Sequence, residues 1–485
     1  MNSYKFLTQI AHKAMLEKGL APEFSSEALQ QLAGINQPES FQKGMMRDLR
    51  HHLWCSIDND DSKDLDQLTF AERLPSGEYL LYIAVANVDG LVHKTTPIDI
   101  HAQVNTTSVY TPSKIFPMLP EKLSTNLTSL NEDQERAAII FEIRMNDTME
   151  VSGSEIYFAF VKNYAQLAYS EVGPWLEGRK AIPMKVSPIP GLSTTLLLQD
   201  ELAQALKVTR QMLGALTFET KELKAVFEGD KVKTLKAVER NRAHELIENF
   251  MIAANTASAR YAVSKRIPSF RRVVRIPERW ERIVDIARTF GETLPSTPDS
   301  KALDNFLTAR KKAEPETFPD LSLTIIKLLG SGEYIIEAPG DDPVGHFGLA
   351  LRDYTHSTAP NRRYPDIITQ RLIKASLKNE KTPYTLSQLE ALAEHCTRCE
   401  DAATKVERHV KKSAAAMVLA DRIGEEFKAV VTGASDKGTW VRLTNPPIDG
   451  KLIKGIQGVD VGDRIIVRLM RVDIVQGYID FARVD

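Results

Sequence analysis

Ser56-Ile57-Asp58-Asn59-Asp60-Asp61-Ser62-Lys63-Asp64-Leu65-Asp66-Gln67 decides how the chain is read, because it interrupts a β-like pattern that begins at Trp54 and resumes as apolar alternation at Leu68 and Phe70. Asp64 and Asp66 stand two apart, so an extended backbone points both side chains one way, and a turn returns Asp58 to the same place. Hard cations such as Mg²⁺ require carboxylate oxygens. The five aspartates within residues 58–66 repel one another unless a cation or hydrogen bonds compensate them. Two readings stay open locally, a metal site and a solvated acidic loop. An EF-hand loop is disfavoured, since its Gly and terminal Glu are missing.

Upstream, Phe6, Leu7, Ile10, Met15, Leu29 and Leu32 recur at helical spacing, with a break between Gly19 and Pro22. Downstream, residues 79–85 and 137–143 read as strands, and residues 202–212 and 244–263 as helices packed on their sheet. Thr385 and Gln388 form a capping box for a long helix reaching about Arg422, with Gly424 placed to stop it. Five short strands follow, over residues 427–434, 438–444, 450–453, 464–472 and 478–483, and suit a small barrel of the OB type. The expected class is α+β. A helical segment spans residues 1–46, a mixed α/β body 47–424, and a barrel 425–485 that serves RNA binding or structure alone.

A length of 485 residues suggests about three structural units. Sixty-two basic against 64 acidic residues leave a net charge of -2, so any nucleic-acid surface must be local. The N-terminus lacks the apolar core of a secretory signal, and no segment reaches membrane-spanning length. The cytosol is therefore the expected compartment, with no membrane partner. Cys55, Cys396 and Cys399 cannot build a disulfide framework. The last two have metal-ligand spacing beside His395, but they fall inside the long helix without a second ligand pair and read as structural.

Two segments carry concentrated positive charge. Tyr354-Thr355-His356-Ser357-Thr358-Ala359-Pro360-Asn361-Arg362-Arg363-Tyr364-Pro365-Asp366 sets two arginines just before a helical run, where guanidinium groups suit phosphate binding and phosphoryl transfer. Arg260, Lys265, Arg266, Arg271, Arg272, Arg275 and Arg279 are interleaved with Tyr261, Phe270 and Trp280, as in a channel that tracks a single-stranded backbone. Ion pairing is the alternative in both, with Glu278 and Glu281 as compensating acids in the second.

Together, the Ile57-Asp58 and Asp64-Leu65-Asp66 pattern, the segment from Tyr354 to Asp366 and the terminal barrel resemble the ribonuclease II family, which includes ribonuclease R and the Dis3 exosome nuclease. The resemblance covers about nine-tenths of the chain, from Arg47-Asp48-Leu49 through Tyr110-Thr111-Pro112, Met118-Leu119-Pro120, residues 247–255 and His346-Phe347-Gly348. It implies an RNB-type catalytic domain followed by an S1-like OB barrel. It also implies a monomeric, processive 3′-to-5′ exoribonuclease that hydrolyses single-stranded RNA to nucleoside 5′-monophosphates with a divalent metal, Mg²⁺ or else Mn²⁺. By the same resemblance Asp58, Asp64 and Asp66 hold the metal, and Asp64, Asp66 and Arg362 are catalytic, with Arg362 on the scissile phosphate. Tyr110 and Phe218 would clamp terminal bases, Glu248 and Glu407 line the RNA path, and Arg363 and Trp440 also contact RNA.

Three departures accompany it. Gln67 stands where many members carry a further aspartate, so a neutral amide replaces one expected metal ligand. Ser357-Thr358-Ala359-Pro360-Asn361 replaces the commoner Phe-Thr-Ser-Pro-Ile. Fewer than about fifty residues precede the resemblance, which leaves no room for two N-terminal cold-shock barrels and implies weaker capture of long RNA. The rival expectations are a catalytically weak RNA-binding adaptor and an endonuclease on the same scaffold.

Overall fold

The structure is a computed structural model and describes residues 3–42, 44–220, 222–435 and 438–484; Met1, Asn2 and Asp485, at the ends of the expected segments, lie outside them. Helices α1 (Ser3–Glu17) and α2 (Ser26–Gly34) come first, and the chain turns between them at Gly19, whose φ of 74° favours glycine. The central sheet collects β1 (Arg47–Asp48), β2 (Trp54–Asp58), β3 (Gln67–Arg73) and β4 (Tyr79–Ala86). After α3 (Pro97–Asn105) and the small hairpin β5 (Val109–Tyr110) and β6 (Ile115–Phe116), it takes in β7 (Glu135–Met145) and β8 (Val151–Ala168).

The strand order is β1-β8-β2-β3-β4-β7, and β8 also pairs with β7. The 18 residues of β8 make this possible: its first part runs antiparallel to β7, and its last part, from Asn163 to Ala168, runs parallel to β2. The sheet thus curls back on itself. Asp58 falls at the end of β2, beside the loop that returns the chain to β3.

Both faces of this sheet are covered. YLLYIAVA in β4 is buried at every position, as expected of a strand between two layers. Leu81, Ile83 and Val85 join a cluster with Leu196, Leu202, Leu246 and Phe250, which come from α5 (Leu192–Met212) and α6 (Arg242–Lys265); α4 (Tyr169–Leu176) precedes them, and the hairpin β9 (Glu222–Glu228) and β10 (Lys231–Val238) lies between α5 and α6. Each such Leu or Ile contributes about 1.5–3 kcal/mol on burial.

Next along the chain, β11 (Ser269–Val273) pairs with β12 (Glu333–Glu337), with α7 (Trp280–Thr289), α8 (Ser300–Ala313) and α9 (Phe318–Leu329) between them. The opposite face of the sheet takes Leu80, Tyr82 and Ala84 into a second cluster with Ile367, Ile368, Leu372, Leu389 and Leu392, carried by α10 (Tyr364–Leu377) and α11 (Leu386–Leu419). The Thr385–Gln388 capping box opens α11 as expected, and Gly424, with φ 93°, follows its end. Cys396 is part of this cluster, and all three cysteines are free and buried. No helix among the described residues is long and apolar enough to cross a membrane.

The last five strands, β13 (Glu426–Ser435), β14 (Gly438–Leu443), β15 (Asp449–Lys454), β16 (Arg464–Asp473) and β17 (Tyr478–Arg483), form a closed barrel in the order β13-β14-β15-β17-β16. Alternation on β14 turns Thr439, Val441 and Leu443 inward and leaves Trp440 and Arg442 partly exposed. Gly450 is required where β15 crosses Phe481, since a Cβ there would meet the ring at 2.3 Å. Arg442 Nη1 bonds Asp320 of α9 at 2.8 Å and ties the barrel to the body.

Candidate active site

The acidic loop sorts its own aspartates. Leu65 is 1% exposed and anchors the loop in the core, while its N–H donates to Ser129 Oγ at 2.9 Å. Asp60 and Asp61 are exposed and tied outward, accepting from Ser170 Oγ (2.6 Å) and Lys224 Nζ (2.7 Å) respectively. Asp58, Asp64 and Asp66 share the field of one guanidinium, Arg362. Asp66, 1% exposed, accepts from Arg362 Nε at 3.1 Å and from the Asn361 backbone N–H at 2.9 Å.

Burial pushes Asp66 up to about 7; Arg362 and the Asn361 N–H oppose this, and Asp64 reinforces it. Burial also raises Asp58 against the pull of the Asn59 N–H and Arg362. For Arg362, desolvation works against its charge, but Asp66, Asp58 and Asp64 win and hold its pKa above the ordinary value. Oxygen donors that burial makes reluctant to ionise suit a hard divalent cation, which would restore their charge. Among the described residues no three His, Cys, Asp or Glu side chains already form a cage for an ion. Gln67 is buried at the start of β3, its backbone paired with Val85, and its amide makes no hydrogen bond to the three acids.

Arg362 sits on a braced turn. Its carbonyl accepts from the Ser108 N–H (3.0 Å), and the preceding Asn361, at the position of the commoner Ile, is 1% exposed and hydrogen-bonded to Thr128 Oγ1 (2.6 Å). Nε is the only guanidinium nitrogen of Arg362 with a hydrogen bond among the described residues, and its side chain is 43% exposed, so Nη1 and Nη2 are available to an anion. Arg363 differs. Its Nε and Nη2 both donate to Asp366 at 2.9 Å, and Asp366, fully buried, also caps the Ala359 N–H.

Tyr110 joins the acids. Its hydroxyl donates to Asp64 Oδ2 (3.2 Å) and its N–H to Glu407 Oε1 (2.8 Å), so α11 and the β5 hairpin meet at the site. Phe218 does not touch Tyr110; it packs with Trp280, Phe306 and Phe318 in a separate cluster. Glu248 pairs with Arg240, and Trp440 lies on the barrel. The basic stretch departs from expectation in its second half, where arginines meet acids, while Arg260, Lys265 and Arg266 are exposed. Arg271 is 1% exposed between Glu337 (2.6 Å) and Asp353 (3.2 Å), Arg272 bonds Glu400, and Arg275 bonds Glu333. The compensating acids are these, and not Glu278 or Glu281.

Two residues missed in the sequence belong here. Tyr169, at the junction of β8 and α4, stacks on His244 at 3.9 Å and shares the field of Asp58, Arg362 and Glu248. Arg210 lies near Glu248 and Tyr354. Neither carries a local motif, since each reaches the site through elements distant in the chain.

Comparison with known proteins gives this geometry a lineage. The family model for the RNB domain matches residues 46–379, and that for the RNase II-type exonuclease C-terminal S1 domain matches residues 425–484. Ribonuclease R of Vibrio cholerae is 33% identical over 446 residues, which is 88% of this chain and 53% of that relative, so the chain spans about half of its length. The structure of Mycoplasma genitalium RNase R in complex with ribose methylated single-stranded RNA superposes with a TM-score of 0.87 over 98% of this chain and 77% of that one, at 23% identity. Yeast Ssd1, described as a pseudonuclease, shares the fold with a TM-score of 0.69 over 90% of this chain and 54% of that one, at 18% identity. The Asp loop, the arginine turn and the barrel are thus pieces of one inherited architecture, and the chain belongs to the ribonuclease II family of RNB-domain proteins.

Proposed function

We propose that this chain is a cytosolic, metal-dependent exoribonuclease that hydrolyses single-stranded RNA from its 3′ end to nucleoside 5′-monophosphates. The observation that carries the reading is Arg362, anchored through Nε on Asp66 with both terminal nitrogens unengaged among the described residues. A guanidinium fixed in this way offers two donors to phosphate oxygens and stabilises charge as it develops there. Asp58, Asp64 and Asp66 would hold the cation, Mg²⁺ in preference to Mn²⁺, which supplies Lewis acidity toward water and the scissile phosphate. Tyr110, bonded to Asp64 and Glu407, offers a face on which a terminal base stacks, and stacking is largely blind to sequence.

The test uses 5′-labelled single-stranded and tailed-duplex RNAs with free or blocked 3′ ends, incubated with Mg²⁺, Mn²⁺ or chelator. Shortening from free 3′ ends only, abolished by chelator, is expected. Retained RNA with no shortening under either metal would instead make the chain an RNA-binding adaptor, and internal cuts in 3′-blocked RNA would make it an endonuclease.

A further inference from the structure

Arg210, in the last turn of α5, stands in an arrangement that the acid cluster and its arginine do not explain. Its Nη2 donates to Asn249 Oδ1, and Asn249 is 2% exposed on α6 with its own Nδ2 committed to the Glu245 carbonyl at 2.6 Å. That second bond fixes the amide orientation, so the oxygen must face Arg210. No carboxylate lies within ion-pair distance of Arg210 among the described residues, and its Nε is buried without an acceptor. Nη1 also has no acceptor, yet it is not among the sealed-off atoms.

A guanidinium held partly out of water without a counter-charge costs several kcal/mol unless something offsets it. Desolvation accordingly lowers its pKa, with only the fields of Glu248 and Tyr354 opposing. Its position supplies a reason for keeping the charge. Residue 249 neighbours Glu248, and Glu248 and Asp58 both act on Tyr169. The chain beyond Arg210 turns back through Ala215 N–H to Arg210 O (3.0 Å) and on to Leu216, hydrogen-bonded to Gly348, before reaching Phe218. Arg210 therefore stands between α6 and the segment leading to Phe218, in the field of Glu248, which also reaches Tyr169 together with Asp58.

We propose that Arg210, oriented by Asn249, binds a backbone phosphate of the RNA upstream of the scissile bond. The inference rests on the exoribonuclease reading of the same site. A phosphodiester fits because its charge is diffuse and its oxygens accept from a guanidinium without demanding a particular base.

The test measures affinity for a single-stranded RNA oligonucleotide as a function of salt in the full chain carrying Asp66→Asn, with Arg210→Gln, Arg210→Lys or Asn249→Asp added. Arg210→Gln should weaken binding about 3- to 30-fold near 0.1 M salt and flatten the log–log salt slope by about 0.7, the share of one phosphate contact on a single strand. Arg210→Lys should keep most of the slope. Asn249→Asp gives Arg210 an ion-pair partner of unchanged volume, and it should weaken RNA binding even where thermal melting shows the fold intact or more stable. In the chain with Asp66 restored, Arg210→Gln should raise KM more than it lowers kcat. Parent-like affinity and slope in both Arg210→Gln and Asn249→Asp would overturn the proposal. Failure of the Asp66→Asn parent to bind RNA, or of the wild-type chain to shorten it, would instead remove the reading beneath it, so the two failures are distinguishable.

Discussion

Arg362 and Arg271 lie in two arginine-rich segments of similar sequence texture, each flanked by aromatics, and the structure gives them opposite fates. Arg271 is sealed at 1% exposure between Glu337 and Asp353, and Arg272 and Arg275 after it are bonded to Glu400 and Glu333. Arg362 spends one nitrogen on Asp66 and leaves the others open, at 43% exposure. Even its neighbour Arg363 is consumed, by Asp366. Counting basic residues says how much charge a segment carries; which of them can meet a ligand depends on where the acids of other elements fall.

The comparison breaks first at Arg362. Arg362→Met should cut hydrolysis about 10²- to 10³-fold, in line with loss of a preorganised donor to developing charge. Asp66→Asn should abolish hydrolysis and leave RNA binding nearly intact, because it removes charge without volume. Single-turnover assays with parallel binding measurements check both, and wild-type-like turnover in either variant would remove that residue from the chemistry.

Arg271→Met should act on stability instead. It leaves Glu337 and Asp353 facing each other's charge in a closed environment, a loss of about 3–5 kcal/mol of the kind seen when one partner of a buried pair is removed. Thermal melting should show a large drop, and the fraction that remains folded should turn over RNA at the parent rate. A stable Arg271→Met protein with poor RNA binding would place this segment in the RNA path after all.

A smaller effect sharpens the Arg362–Asp66 contact itself. Asp66 is pushed up to about 7 from an ordinary 3.8. A carboxyl whose pKa is raised by folding contributes its stability fully below about 4 and loses it as pH rises through about 7. In chelator, the wild-type chain should therefore lose stability relative to Asp66→Asn across that window, and Mg²⁺ should recover it. Parallel melting curves for the two proteins from pH 4 to 8 would show that Asp66 ionises without penalty.

Much of the architecture was legible in the sequence because it is carried by local periodicity. The continuous apolar run of β4, the capping box at Thr385 and the short barrel strands each announce themselves within a dozen residues, where backbone geometry and side-chain spacing act together. The loop offered five aspartates, and the family resemblance picked Asp58, Asp64 and Asp66 from them. Their sharing of Arg362's field, while Asp60 and Asp61 are tied outward by Ser170 and Lys224, appears only in three dimensions.

Local pattern alone was enough for the long helix, the strands 79–85 and 137–143, the barrel, and the acids and arginines available for chemistry. The tertiary structure alone decided which charges remain uncommitted: Asp66 meets Arg362 across 296 positions of chain, Tyr110 meets Glu407 across 297, and Arg210 meets Asn249 through two helices. The physical reason is that covalent spacing fixes which residues share an element. Desolvation and pairing act through space, and no local pattern records which distant carboxylate will arrive to claim a guanidinium.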